Sequence, residues 1–300
     1  MTLGFAIAVL YLVAIAHMHY RGSVRFPWSR QIITHTNYLA PYNLLMSVFS
    51  RLPNKPILPV DEIEGLEMLR ENWQVMREEA LALNQAGQIS KSTGLNDAGF
   101  NSFFKTGWKR FYLKWYDDYL PSANELCPQS VALLKQVPAV KAAMFASLPP
   151  DAWLTPHRDP FAGSLRYHLG LVTPNHDDCF ILVDGNKHVW QDGKDVLFDE
   201  TFIHEAYNNT QQNRIILFAD VRRPLRTKLV DRFNGWVSNT LLKASATQNI
   251  ASEKVGLLNR AFEHLYRVRV YSRRLKKWNR PFYYTLKYAL FFAVIYWLLF

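Results

Sequence analysis

Cysteine is almost missing from this chain. Cys127 and Cys179 are the whole complement, far apart and in no CxxC pair. That excludes a disulfide framework and a thiolate zinc site, fits a reducing compartment, and leaves two thiols whose plain role is packing. No internal repeat or low-complexity tract occurs, so solenoid and fibrous architectures are excluded. Acidic residues are absent from two stretches. One holds Arg21, Arg25 and Arg30; the other holds Arg267, Arg269, Arg273, Arg274, Lys276, Lys277 and Arg280. These two clusters account for the whole net charge of +10. The rest of the chain is balanced, which argues against a nucleic-acid-binding surface spread over the fold. What is present in quantity is apolar: 49% of 300 residues, with 14% aromatic, enough to bury a large core.

Both basic clusters abut apolar segments. Thr2 to Ala16 continues to Tyr20, and Pro281 to Phe300 is interrupted mainly by Thr285 and Lys287. Twenty helical residues span about 30 Å, the thickness of a bilayer's hydrocarbon core. The sequence therefore predicts a transmembrane helix at each end, with Tyr283, Tyr284 and Trp297 as interfacial anchors and Lys287 snorkelling. The positive-inside rule puts the basic flanks, and everything between them, in the cytoplasm. Ala14-Ile15-Ala16 resembles a signal-peptidase site, but nothing basic precedes Arg21 to form a signal's n-region, so an uncleaved anchor is expected. Two buried core helices are the alternative reading of these segments.

Between the ends, the three prolines of residues 51–60 read as an extended connector. Leu66, Leu69, Trp73, Met76, Ala80 and Leu83 follow at helical spacing, predicting one amphipathic helix over Asp61 to Asn84. Ser90 to Asn101 reads as a polar loop and Trp108 to Tyr116 as a strand, with Lys109, Phe111, Leu113 and Trp115 on one face and Arg110, Tyr112 and Lys114 on the other. Ser122 and Glu125 can form a capping box for a short helix ending near Val137. Short strands then follow at Ala142–Leu148, Leu165–Val172, Cys179–Val183, Lys187–Trp190, Asp195–Phe198, Phe202–Asn208 and Arg214–Val221, separated by turn formers such as Asp184-Gly185-Asn186. Seven short strands in so small a span predict a mainly β sandwich or jelly roll. Asp231 to Leu242 and Glu253 to Tyr266 read as helices.

The chemistry concentrates around His157. His157 and Asp159, two apart on a strand or its end, point the same way and can reach one ion. His204 from another strand would complete two imidazoles and a carboxylate, the facial set of non-haem Fe(II) oxygenases, whereas no closed tetrahedral zinc set is offered. Arg166 and His168 share a strand face, and Arg214 opens an apolar strand where a guanidinium is costly unless it meets a carboxylate.

The run His157-Arg158-Asp159-Pro160, then Leu165-Arg166-Tyr167-His168-Leu169-Gly170-Leu171, then His204-Glu205 with Arg214 ten residues beyond, resembles the aspartyl/asparaginyl β-hydroxylase family of Fe(II)- and 2-oxoglutarate-dependent dioxygenases over about residues 60–224. The resemblance implies a double-stranded β-helix with Fe(II) held by His157, Asp159 and His204, Asp159 filling a position that some members give to a non-carboxylate. It also implies 2-oxoglutarate held by Arg214, with Arg166, His168 and Ser147 lining its pocket, and O2 as the other co-substrate. The chain then divides into an N-terminal anchor (1–20), a basic juxtamembrane segment and linker (21–60), the dioxygenase domain with its leading helices (61–226), a helical basic segment (227–280) and a C-terminal transmembrane helix (281–300).

Tethering at both ends to the cytoplasmic face of a bacterial inner membrane favours a lipid substrate. Within the family the architecture is most similar to the lipid A 2-hydroxylases. Lipid A or a near precursor, hydroxylated at C2 of an acyl chain, is the expected substrate, with Lys105, Lys109, Arg110 or Lys114 meeting its phosphates or sugar acids. A peptide aspartyl/asparaginyl hydroxylase would share every one of these site residues, and a non-enzymatic jelly-roll binding module at the membrane would need none of them. No His-x4-Asp spacing supports an acyltransferase. Neither a nucleic-acid partner nor an obligate protein partner is expected.

Overall fold

The computed structural model describes residues 3–92, 97 and 99–299, and side chains over the same range save 3, 263, 291, 292 and 294–299. Part of the expected loop from Ser90 to Asn101 (residues 93–96 and 98) lies outside the described residues. In chain order the strands are β1 (Ile57–Leu58), β2 (Lys109–Trp115), β3 (Asp118–Tyr119), β4 (Val140–Leu148), β5 (Ala152–His157), β6 (Ser164–Val172), β7 (Cys179–Val183), β8 (Asn186–Val189), β9 (Asp195–Phe198), β10 (His204–Asn208) and β11 (Arg214–Arg222). They form a seven-stranded sheet in the order β1-β9-β6-β11-β4-β2-β3 and a four-stranded sheet in the order β5-β10-β7-β8, with antiparallel pairing. Apolar side chains from both sheets share one core. This is the mainly β, two-sheet architecture with flanking helices that the strand pattern predicts.

The central strand β6 shows how the sequence positions a site. Leu165, Tyr167, Leu169 and Leu171 are fully buried on one face. The helix Trp73–Gln85 covers that side, inserting Met76, Ala80 and Leu83 and donating from Arg77 to the Leu171 carbonyl at 3.0 Å. Each such buried side chain contributes about 1.5–3 kcal/mol. Arg166 and His168 point to the opposite face, into the space between the sheets. Gly170 on that strand is required by crowding, because a Cβ there would collide with the Gln191 carbonyl.

Several expected elements differ. The helix over Asp61 to Asn84 is two helices, Leu66–Glu71 and Trp73–Gln85, parted at Asn72, whose amide donates to the Met68 carbonyl. The helix from Ser122 is likewise split at Cys127-Pro128. The connector over 51–60 ends in an edge strand, since Ile57 and Leu58 pair with Phe198 and Leu197.

The terminal apolar segments fold as helices, Leu3–Tyr20 and Arg280–Leu299. Among the described residues, however, no helix is long and apolar enough to cross a membrane, which corrects the expectation of a spanning helix at each end. The first has 18 residues, about 27 Å at 1.5 Å per residue. Its last turns are committed to the protein, with Ala14, Met18 and His19 buried and His19 stacked on Trp28. The second carries Lys287 and four tyrosines, and several of its side chains, Trp297 included, lie outside the described residues.

The chain after the first helix does not hang free. Arg21 pairs with buried Asp199 at 2.7 Å and donates to Thr201, and Arg223 reaches the same carboxylate at 2.9 Å. Backbone N–H groups of Ser23 and Val24 donate to Asp184. Arg21, expected to flank a lipid surface, is instead consumed inside the protein.

Candidate active site

Strand pairing brings the two histidines together. His157 ends β5, His204 begins β10, and the register sets them opposite each other with ring centroids 4.2 Å apart. Asp159 follows two residues on, its N–H tied to the Glu200 carbonyl at 2.9 Å. One ligand atom from each of His157, Asp159 and His204 lies within 4.8 Å of the others, close enough to share an ion. Each imidazole bonds a backbone carbonyl through Nδ1: His157 to Thr155 at 2.7 Å and His204 to Phe202 at 3.0 Å. A carbonyl only accepts, so the proton sits on Nδ1 and the Nε2 lone pair is left for a metal. Burial depresses both histidines, His204 to about 3 because His157 adds to the effect, so both are neutral. Burial alone would raise Asp159, but Arg166, His204 and His157 outweigh it and hold the carboxylate at about 2.

Arg214, buried at the start of β11, lies at the other end of the same cavity. Its guanidinium carbon stands 4.2 Å over the Trp190 ring. Among the described residues it has no carboxylate partner, its Nε has no hydrogen-bond partner, and burial lowers its pKa to about 10. Both ring nitrogens of His168 and Nε1 of Trp190 are also buried without partners. Ile181, Phe198, Ile216 and Phe218 fill the walls between. A lone buried guanidinium beside unpartnered ring nitrogens in an apolar slot suits an anionic oxygen ligand whose other end reaches His157, Asp159 and His204. The donor set therefore fits both Fe(II) and a dicarboxylate.

Arg166 lines this cavity too, but its guanidinium is engaged elsewhere. It pairs with Asp159 at 3.0 Å, with Glu200, and with Asp220 at 2.9 Å, the last without hydrogen-bond alignment. Its guanidinium thereby orients the Asp159 carboxylate. Burial pushes Glu200 well above and Asp220 above the usual carboxylate range. Ser164 donates to Glu200 and Tyr116 to Asp220, completing the cluster.

Other expected residues fall outside the cavity. Ser147 is buried on β4, where its hydroxyl donates to the Asn213 side-chain oxygen at 2.9 Å, away from the cavity wall. Arg110 is buried against Asp97 and Lys114 donates to the Val140 carbonyl, so neither is free to meet a phosphate; Lys105 and Lys109 are exposed. The period of two misplaced Arg110 and Lys114 because a register shift falls between Tyr112 and Lys114 and both faces of β2 are covered. Glu200, Asp220 and Trp190 were not anticipated. The strand register sets Asp220 opposite Arg166, and the turn after β9 brings Glu200 to the same guanidinium.

The sequence model of the aspartyl/asparaginyl β-hydroxylases matches residues 70–224, just over half of the chain. The chain belongs to that family. Over 132 residues it is 37% identical to an ornithine lipid ester-linked acyl 2-hydroxylase of Rhizobium tropici, covering 44% of this chain and 46% of that protein. Over 169 residues it is 28% identical to the human aspartyl/asparaginyl β-hydroxylase, covering 54% of this chain and 21% of that one. The chain thus spans less than half the length of either family relative. A Pseudomonas putida prolyl-4-hydroxylase structure overlays on 51% of this chain and 87% of its own at 19% identity and a TM-score of 0.37, too loosely for anything to rest on it.

Proposed function

We propose that this family member is an Fe(II)- and 2-oxoglutarate-dependent hydroxylase acting at C2 of an acyl chain of a bacterial membrane lipid, with lipid A as the substrate. One observation carries the reaction class: a two-histidine, one-carboxylate set at one end of an apolar cavity and, at the other, a buried arginine that has no carboxylate partner among the described residues. His157, His204 and Asp159 would hold the iron, and Arg214 over Trp190 would clamp the distal carboxylate of 2-oxoglutarate. Bound iron supplies activation of O2 and oxygen transfer to an unactivated C–H bond, as 2-oxoglutarate is oxidised to succinate and CO2. The protein's part is positional. Backbone carbonyls fix both imidazole tautomers, Arg166 holds Asp159, and Ile181, Ile216 and Phe218 keep water out of the slot.

The lipid assignment is supported by the basic stretch near the C-terminal end and by the Rhizobium relative, which acts on an ester-linked acyl chain. The reading we propose has the protein work at the cytoplasmic face of the inner membrane without calling on an obligate protein partner. The test is incubation of purified protein with Fe(II), 2-oxoglutarate and O2 beside lipid A, ornithine lipid or an Asp-containing peptide, read by mass spectrometry. One added oxygen on an acyl chain of lipid A is expected. Hydroxylated ornithine lipid with untouched lipid A would move the assignment to that head group. Hydroxylated peptide with untouched lipids would overturn the lipid assignment, and absence of 2-oxoglutarate consumption under every condition would leave a binding module.

A further inference from the structure

A second cavity, roughly 280 Å³, opens on the side of Asp159 away from Arg214. Its inner wall is polar, formed by Asp159, Arg166, Glu200, Asp220 and Tyr116. Its outer wall is mainly apolar, formed by Leu39, Phe100, Trp115, Leu241, Leu242 and Leu258, with Asp97, Tyr112 and Ser245 also lining the cavity. Four of those six, Leu39, Leu241, Leu242 and Leu258, lie outside residues 70–224, the part shared with the family. The inner end therefore lies within the family-matched residues, and most of the outer wall comes from the segments that flank them.

The added wall is fastened in place. Trp115 Nε1 donates to the Leu242 carbonyl at 2.7 Å. Asn249 caps the Tyr112 backbone on both sides, accepting from its N–H and donating to its carbonyl at 2.8 Å each. Glu253 accepts from the N–H groups of Ser122 and Asn249. So many polar ties across one seam hold a wall in a fixed position.

The leucine walls solvate hydrocarbon, while the polar groups of the inner end are already engaged with one another around Arg166. At the rim Leu258 is 40% exposed, and the residues beside it and beside Leu39 in sequence are more so: Leu257 at 67% and Tyr38 at 79%. An apolar rim of this kind suits transfer of a chain directly from a lipid layer.

We infer that this cavity is a hydrocarbon-chain site that holds the acyl tail of the substrate, and that Leu241, Leu242 and Leu258 set the chain length accepted. The C2 end of the chain lies toward Asp159 and its methyl end lies among these leucines. This rests on the lipid reading of the proposed function, and its test separates the two. In an apolar site each methylene accommodated changes affinity about fourfold, so a filled wall reads out as a shortened preference.

Leu258→Trp and Leu241→Trp narrow the cavity from the rim and from the wall. Leu265→Trp, on a leucine 66% exposed and outside the lining, is the control. Metal-free protein is titrated with cis-parinaric acid, a fluorescent fatty acid. Loaded protein is given lipid A and ornithine lipids in series differing only in acyl length. Wild type and control should bind the probe alike, both cavity variants should bind it about tenfold or more weakly, and the preferred acyl chain should shorten by several carbons. Oxygen added to acyl lipids with an unchanged length profile in both cavity variants would overturn the chain site and leave the lipid-hydroxylase reading standing. Probe binding lost in the cavity variants, with no acyl lipid gaining oxygen in wild type, would do the reverse. Leu258 is already partly exposed, so its variant tests the site even if Leu241→Trp folds poorly.

Discussion

Arg214→Met separates the cost of a buried charge from its use. In the ligand-free protein Arg214 is buried with no carboxylate partner among the described residues, and burial has brought its pKa down to about 10, still charged at neutral pH. Replacing it with an apolar side chain of similar length relieves that desolvation. Loss of the contact with Trp190, about 0.5–2 kcal/mol, offsets part of the gain. The free variant should then melt at or above the wild-type temperature. With 2-oxoglutarate the sign reverses. Truncating one partner of a buried, hydrogen-bonded charge pair costs about 2–5 kcal/mol, and at about 1.4 kcal/mol per factor of ten the dissociation constant rises roughly 30- to several-thousand-fold. Isothermal titration and thermal melts with and without 2-oxoglutarate, on metal-loaded protein, measure both halves. Arg214→Lys, a point charge without the planar fork, should fall between. A variant that binds 2-oxoglutarate as wild type does, or that melts several degrees lower while keeping its ligand-induced shift, would show that Arg214 is a structural cation and refute the clamp.

Two further outcomes follow from the same site. Asp159→Ala should weaken Fe(II) binding at least tenfold and leave Arg166 with two carboxylates, read by metal titration of the apoprotein together with 2-oxoglutarate consumption; unchanged metal affinity would remove Asp159 from the ligand set. His204 and His168 are held neutral by burial, His204 at about 3, so below the ordinary histidine value the unfolded chain binds protons that the folded metal-free chain does not. Stability should therefore fall as pH drops from about 6.5, by up to about 1.4 kcal/mol per pH unit for each group. Urea midpoints at two pH values, in wild type and His168→Gln, check this; an equal slope in both would deny His168 its part.

The long, strongly patterned pieces were legible in the sequence. Turn formers mark the strands from β6 onward, and the i, i+2 logic placed His157 with Asp159 and Arg166 with His168. The strand that carries His157 itself was not recognised. Ala152–His157 is an edge strand of the smaller sheet, half exposed, with Pro156 inside it and two prolines just before it, so neither period nor propensity announces it. The i, i+2 rule places Arg166 on the cavity face but says nothing of the carboxylates that hold it. Its carboxylates come from β11 and from the turn after β9, and no local spacing reports a cross-strand neighbour. The end helices were found, yet an apolar run does not disclose whether lipid or protein will cover it. Buried Ala14, Met18 and His19 give the answer for part of the first.

The Asp199 corner has a practical side. The carboxylate sits five positions before His204 in the turn that delivers it, and it is held by Arg223 from behind and by Arg21 from the N-terminal segment. Trimming an apolar leader up to its first basic residues is a common way to make such a protein easier to handle. Here that shortcut would strip one of two guanidiniums from a carboxylate that burial would otherwise push up and that the two arginines hold well below its usual range. It would also remove the Ser23 and Val24 amides from Asp184. A shortened version beginning after residue 25 would loosen the turn that leads into His204, and one beginning at residue 21 would keep the Arg21–Asp199 pair but lose the buried Ala14, Met18 and His19.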